Sequence, residues 1–527
     1  MKRLLNLGNA IFFTMTVLWL FFAIRYGFEY LPVDLLKMTP QNAIVFVIIT
    51  SFIFIFYIFK EKTVQFLRKL YQLIVGHKIW VIGIVTAFQL FILLTSGGLA
   101  RADTTILYQI ATDPNYAQET MYISNNPNNF LFLVYLKIIF RIWPENLVFN
   151  LSLLNIFFVN SSLMLSYQLV KEYFKEKIAN IYFVLYICLF ALQPQFIYTY
   201  TDLITLFFIV LLFVVLSYLV KNWNKMKAFY MASLGLGLII GICYNLRPPT
   251  VIYIIALFAV LISVKRSSAF SLKKIAMVSL IAFSMFYISN KSLSILLEKQ
   301  DFVLYKDNYS RSLLYYVDLG LTYGGNYHHE IPQEIVAATS DDLNDLVKKD
   351  IQKRLDAYTP SSFIGHLYYK YYWITGEGMF GWNQERVLSE ETRLQMPWIQ
   401  GIINTGFAQK VRSIIYATGE NFKIQGILFQ MIWIVAVIGI LVYSFTFKSS
   451  PYHVALWLQI TLFGGFLFLM IFEGGRTRYL IQFLPPIVLL SSVGWEQLLT
   501  FVDQVKTKNQ KILSNNHTQE GYKNWKS

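Results

Sequence analysis

The chain has 527 residues, of which 56% are hydrophobic and 14% charged, with a mean hydropathy of +0.49. A soluble domain carries about 25% charge, so this composition excludes one and indicates an integral membrane protein. The net charge of +15 does not point to nucleic acid: membrane proteins retain Lys and Arg on their cytoplasmic side, and no basic segment carries a nucleic-acid-binding module.

In chain order, apolar runs lie at 7–23, 43–59, 79–95, 147–169, 179–196, 203–220, 228–244, 251–264, 275–297, 424–447, 453–472 and 479–495. Most approach the 20 or so residues that cross a bilayer core. The first, after "MKR", lacks a small-residue cleavage site and is kept as a helix of the mature protein. A further run, 129–143, is short and contains Lys137 and Arg141. The basic connectors "KEKTVQFLRK", "KEYFKEK", "KNWNKMK" and "KRSSAFSLKK", with the Lys-bearing tail after Asp503, all belong in the cytoplasm. They do so together only if 129–143 lies in the outer interface and does not span. The expectation is an all-α polytopic protein of twelve spans, with both termini inside.

External segments follow by parity: 97–128 with its interfacial helix, turns near Pro194 and Pro248, the short "EGGRTR" loop, and 298–423. The last holds 16 acidic and 13 basic residues against 30 and 45 in the whole chain. Its "GNYHHEIPQEIVAATSDDLNDLVKKDIQKRLDAY" has helical periodicity with Pro and Gly punctuation. The expected division is 1–78, two N-terminal spans with a basic connector; 79–297, a membrane core with its first external loop at 97–146; 298–423, an external segment; 424–499, the C-terminal spans; and 500–527, a basic cytoplasmic tail.

Asp103 then sits outside, just past the third span, in a loop with Tyr108, Asp113, Tyr116, Glu119 and Tyr122. A carboxylate held beside apolar walls can take a proton from a hydroxyl nucleophile; the plainer alternative is an interfacial acid paired with Arg101. Asp202, at the edge of a span, is either a functional acid or a helix cap. "HHE" at His328–Glu330 is awkward for one metal ion, and the glycines of "GLGLIIG" suit close helix approach inside a span. Cys188 and Cys243 both fall in apolar runs and offer no disulfide framework.

An acid shortly after a span, followed by the proline-containing "MYISNNPNNFLFLVYLKIIFRIW", resembles the GT-C glycosyltransferases. These polytopic enzymes include protein O-mannosyltransferases and bacterial aminoarabinose transferases. "IYTYTDLITLFF", "YNLRPPTVIYIIA" and "EGGRTRYLIQFLPP" resemble later segments of that superfamily, and the likeness runs from about Ile79 to Trp495. "YYVDLGLTYGGNYHHE" followed by "WITGEGMFGW" is similar to a subgroup associated with a Gram-positive exosortase-type system. The Trp-Trp-Asp block of sequon-reading members is absent, and the usual Tyr-Pro at the end of the first loop is Asn126-Pro127.

The resemblance implies transfer of a sugar from a polyprenyl-phosphate donor to a cell-envelope acceptor, with inversion. Asp103 would be the general base and Arg101 would orient it or bind donor. Tyr108, Asn128, Asp202, Arg247, Arg476 and Arg478 would contact substrate. The arginines stand on physical grounds too. All three lie at outer ends of spans, and an Arg fork holds phosphate and stabilises charge developing on it, although such residues also snorkel. No cofactor is required; a divalent cation is compatible, but no ligand set stands out. The expected partners are the lipid-linked donor, a lipid, glycan or protein acceptor, and the membrane, with no nucleic acid. The expected location is a bacterial plasma membrane, with the active site on the outer face. Two other classes fit less well. An envelope polymerase or ligase shares the large external loop, whereas a transporter or flippase would favour two matching halves.

Overall fold

The computed structural model describes residues 2–31, 47, 51, 54, 57, 60–97, 103–263, 271–381, 397–447 and 452–523. Among these the regular structure is helical throughout, as an all-α polytopic membrane protein requires, because only a helix satisfies its backbone internally in lipid. Eight helices among the described residues are long and apolar enough to span: Leu5–Tyr30, Lys78–Ser96, Pro144–Tyr173, Thr201–Lys221, Met226–Leu246, Leu272–Lys299, Phe422–Phe445 and His453–Ile471.

The remaining expected spans differ for local reasons. The run 43–59 falls mostly outside the described residues. The run 179–196 is an α-helix only over Glu176–Tyr186, then loosens into a π-turn at Ile187–Ala191 and a 3-10 turn at Pro194–Ile197. The carbonyls freed there are taken by side chains: Gln89 Nε2 donates to Ala191 O at 2.9 Å, and Gln193 Nε2 to Leu189 O at 2.8 Å. The run 251–264 is the shorter apolar helix Pro248–Ile262. The last run opens with a 3-10 helix, Thr477–Phe483, before the helix Leu484–Lys523. Pro485 and Pro486 have no N–H to give Ile481 and Gln482, which stops a regular helix from reaching upstream. Tyr253 donates its hydroxyl to the orphaned Gln482 O at 2.7 Å.

The segment 129–143 is the helix Phe130–Ile142, too short to span, with Phe130, Phe132, Leu133, Leu136 and Ile139 buried on one side. It packs on Asp103–Thr112. The glycines inside Met226–Leu246 do bring helices together: a Cβ on Gly237 would meet Ala282 O at 2.2 Å. The external segment contains the helices Leu313–Gly320, Ser340–Ala357 and Pro360–Thr375, with a small apolar core of Tyr315, Leu319, Ile331, Ile335, Leu343 and Val347. The first helix is not peripheral. Trp19 is fully buried, with its ring 5.3 Å from that of Trp433 and 5.2 Å from that of Phe466.

Candidate active site

The C-terminal ends of Lys78–Ser96, Met226–Leu246 and His453–Ile471 share one end of the bundle with the N-terminal ends of Thr201–Lys221 and the final helix. Local backbone chemistry sets the functional side chains there. Pro248 disfavours helical geometry for Arg247, which is extended (φ −150, ψ 98) and ends its helix. Tyr200 is likewise extended (φ −150, ψ −175) where Thr201–Lys221 begins. Arg478 lies in the 3-10 turn that the two prolines impose.

Asp103 opens the helix Asp103–Thr112, where the N-terminal dipole favours a carboxylate. Its Oδ2 accepts from the Tyr200 hydroxyl at 3.1 Å, and its side chain also bonds that of Tyr122. The Tyr122 oxygen in turn accepts from Asn129 Nδ2 at 2.9 Å. Burial first, and then the negative charge of Asp103, hold the Tyr200 hydroxyl well above the ordinary tyrosine range. Tyr200 therefore stays a proton donor and Asp103 the acceptor.

Two guanidiniums flank the same tyrosine. Arg247 lies 5.0 Å and Arg478 5.1 Å from the Tyr200 ring centroid, and both also approach Tyr479, at 5.5 and 6.0 Å. Cations sit favourably on such faces. One carboxylate faces the pair: Arg247 donates to Asp202 Oδ1 at 2.7 Å, and Arg478 Nε stands 3.8 Å from Oδ2. Asp202 thus pairs with arginine, and no side chain caps the start of its helix. Thr201 Oγ1, Asp202 Oδ2, Arg247 Nε and Gln482 Oε1 are buried with no hydrogen-bond partner among the described residues. Buried polar groups are normally satisfied, so this concentration marks a place built to receive polar atoms.

The loop bearing Arg476 and Arg478 is held from three sides. Lys370 Nζ, fully buried, donates to Gly320 O at 2.8 Å, Met470 O at 3.0 Å and Phe472 O at 2.7 Å. Gly474 N donates to Gly325 O at 3.0 Å, and Gly475 (φ +77) passes so close to Gly324 that its Cβ would lie 2.1 Å from Gly324 O. Only glycine takes that conformation at that distance. On the far side, Glu377 accepts from Met379 N, Gly381 N and, at 2.8 Å, the Tyr30 hydroxyl. Gly381 (φ +71) then lies against the Arg478 backbone. Burial pushes the Glu377 carboxyl up to about 7.

Of the residues expected to form the site, Asp103, Asp202, Arg247 and Arg478 are brought together. Arg476 is on the same loop as Arg478 and, with Glu473 and Asp103, acts electrostatically on His328. Among the described residues no hydrogen bond or ion pair ties Tyr108 or Asn128 to the cluster. Tyr108 is buried in apolar surroundings and Asn128 is exposed; its neighbour Asn129 makes the contact. Arg101 lies outside the described residues. Tyr200, Tyr122, Asn129, Glu473, Lys370 and Glu377 were not among the expected site residues. Tyr122 lies in the loop that carries Asp103 and Tyr200 in "IYTYTDLITLFF", but nothing in either stretch separates these tyrosines from interfacial rings. Asp113 caps the helix Pro114–Glu119, accepting from Asn115 N and Tyr116 N. Glu330 of "HHE" accepts from Arg354 and from Tyr323 N. Among the described residues no group of three or more His, Cys, Asp or Glu side chains is placed to hold a metal ion.

An apolar cavity of about 710 Å³ runs between spans, lined by Leu169, Phe213, Ile254, Phe283, Trp457 and Leu489 among others, and extends to Tyr173, Trp223 and Val454 at the helix ends away from the cluster. Its wall includes Val251 and Pro485, shortly after Arg247 and Arg478 in the chain.

A model of the family described as conserved hypothetical integral membrane protein matches residues 1–499. Two solved structures from Archaeoglobus fulgidus are similar. One is its oligosaccharyltransferase in the apo form: TM-score 0.43, 12% identity, covering 82% of this chain and 52% of that one. The other is the oligosaccharyltransferase AglB in complex with an inhibitory peptide and a dolichol-phosphate: TM-score 0.41, 12% identity, 82% and 51%. The chain spans about half the length of these proteins. No curated protein matches it.

Proposed function

The chain belongs to the family described as conserved hypothetical integral membrane protein, and from that premise we propose that it is a glycosyltransferase using a polyprenyl-phosphate sugar. The observation that carries this reading is the division of labour around Tyr200. On one side is a carboxylate bonded, among the described residues, through hydroxyls; on the other are two arginines sharing one carboxylate. Asp202 is engaged by both arginines. Asp103 has no arginine partner among the described residues and is the carboxylate open to an acceptor hydroxyl.

In this mechanism the acceptor hydroxyl gives its proton to Asp103 as its oxygen bonds to the anomeric carbon. The bond from that carbon to the phosphate oxygen breaks, and its electron pair stays on the phosphate. Arg247 and Arg478, with the positive charge that Asp202 leaves unbalanced, stabilise the departing phosphate. A single displacement of this kind inverts the anomeric configuration. The donor's hydrocarbon tail occupies the 710 Å³ cavity, a size within the usual range for ligand pockets. The cluster faces the outside of the cell, where the acceptor belongs to the envelope.

The test is transfer of radiolabelled hexose from polyprenyl-phosphate hexose to envelope extract by the protein reconstituted in liposomes, with and without chelator. Label that stays entirely on the lipid across all donors tried would end the proposal.

A further inference from the structure

A second concave site lies in the external segment, on the other side of the wall that holds the arginine loop. It is a cavity of about 500 Å³, lined by Tyr323, Glu330, Arg354, Tyr358, His366 and Tyr369 with neighbouring small residues. The rings of Tyr323 and Tyr369 are 4.9 Å apart and tilted by 40°, joined hydroxyl to hydroxyl at 2.7 Å. Tyr358 and His366 form a second ring pair at 5.5 Å. Tyr358 is fixed by its hydroxyl, which donates to Leu321 O at 3.1 Å.

The polar groups are equally fixed. Arg354 donates to Asp318 at 2.9 Å, Asp350 at 2.8 Å, Glu330 Oε2 at 3.4 Å and the Glu330 carbonyl at 2.7 Å. Glu330 and Arg354 line the cavity, while Asp318 and Asp350 lie buried behind Arg354 and, with Glu330, take up its donors.

We propose that this cavity binds neutral sugar residues of the acceptor glycan, a reading that rests on the transferase function proposed above. A sugar offers polarised C–H groups on its ring face and hydroxyls around its edge. Tyrosine rings, negative on their faces, suit the first; a carboxylate and a guanidinium held in place suit the second. Tyr323 is 63% exposed, so its ring face is available. Arg354 already donates to Asp318, Asp350 and Glu330, so among the described residues the cavity offers a uronic or phosphorylated sugar no free cation. The position fits an acceptor as well. Tyr323, Gly324 and Glu330 line the cavity, while Gly324 and Gly325 in the same segment contact Gly475 and Gly474 of the arginine loop. One stretch of chain therefore bounds both the pocket and the proposed reaction centre. Tyrosines at this level can also anchor a protein at the lipid headgroups, but here Tyr323 and Tyr369 are paired beside Glu330 and Arg354 in one cavity wall.

The experiment is saturation-transfer NMR on the full chain in nanodiscs, with maltotriose as the neutral probe and trigalacturonate as the anionic one. Maltotriose should show ring-proton transfer and trigalacturonate none, and Tyr323→Ala should bind maltotriose roughly tenfold more weakly. Asp103→Asn should bind maltotriose as the wild type does. Maltotriose binding by a wild-type protein that transfers no sugar would refute the function and keep the pocket, whereas binding without transfer in Asp103→Asn is the expected result. Absent maltotriose binding, or equal binding by Tyr323→Ala, overturns the pocket whatever the transfer assay gives. Loss of nanodisc incorporation by Tyr323→Ala, with sugar binding intact, would make the rings interfacial anchors and also overturn it.

Discussion

Replacing Asp103 by Asn exchanges one carboxylate oxygen for an amide and touches neither arginine. The carboxylate receives hydroxyls from Tyr200 and Tyr122. An asparagine carbonyl can receive one of them, and its amide must face the other, whose oxygen can accept. The net loss is one hydrogen bond to a charged acceptor exchanged for a neutral one, about 1 kcal/mol in stability. The kinetic loss is much larger. General-base assistance contributes roughly 10²–10⁴-fold, about 3–5.5 kcal/mol of barrier. The two effects separate cleanly: Asp103→Asn should fold, insert and keep donor KM within about twofold, while kcat falls by two orders of magnitude or more. The assay is initial-rate transfer in proteoliposomes, with thermal unfolding of the same preparations. Asp113→Asn is the control from the same loop. Asp113 only caps a short helix, and asparagine caps about as well, so turnover should barely change. Turnover of Asp103→Asn within threefold of wild type, or a fall in which donor KM rises as much as kcat drops, would refute the assignment.

Three further outcomes are expected. Arg478→Ala should raise donor KM and lower kcat by more than tenfold in kcat/KM, and Arg478→Lys should lie between, since lysine keeps the charge without the planar fork; equal activity in both variants would make Arg478 a helix anchor. Glu377 is raised to about 7 in the fold from a usual 4.5; folding therefore takes up a proton between those values, and stability falls as pH rises from about 4.5 to 7. Thermal scans from pH 5 to 8 should show wild type losing stability relative to Glu377→Gln, and parallel curves would count against it. Cysteines at the exposed positions Asn115 and Ser340 should react with an impermeant thiol reagent in intact cells while one at Lys273 does not; the reverse pattern would put the cluster in the cytoplasm.

The spans were legible where a run was long and its backbone needed no outside help. They became illegible where tertiary partners decide the path: nothing in 179–196 announces that Gln89 and Gln193 will take the carbonyls of a π-turn. At the site, Asp103, Asp202, Arg247 and Arg478 could be read because charge at the end of an apolar run is costly and so conspicuous. Tyr200 could not, because one tyrosine among 35 near a membrane surface reads as an interfacial ring. Asn128 and Asn129 are neighbours in a 3-10 turn, and it takes the fold to show that Asn129 is buried and Asn128 exposed. Lys370 and Glu377 act from more than 90 residues away in sequence, through carbonyls and amides that carry no side-chain signature.

The seating of the first helix has a consequence for how the molecule is made. Asn9 Nδ2 donates to Ser444 O and its Oδ1 accepts from Gln459, while Gln430 donates to Ala23 O. These pairs are separated by 435, 450 and 407 residues. At roughly 5–20 residues per second of synthesis, the leading helix waits about 20 to 90 s in the bilayer before its neighbours emerge. Throughout that interval the indole of Trp19, later enclosed by Trp433 and Phe466, must be sheltered by lipid or by the insertion machinery. Assembly is thus a late ring closure: a ribosome stalled before residue 422 would leave the first helix its contact with Pro360–Thr375, where the Tyr371 hydroxyl donates to Met15 O at 3.2 Å, but none of these partners.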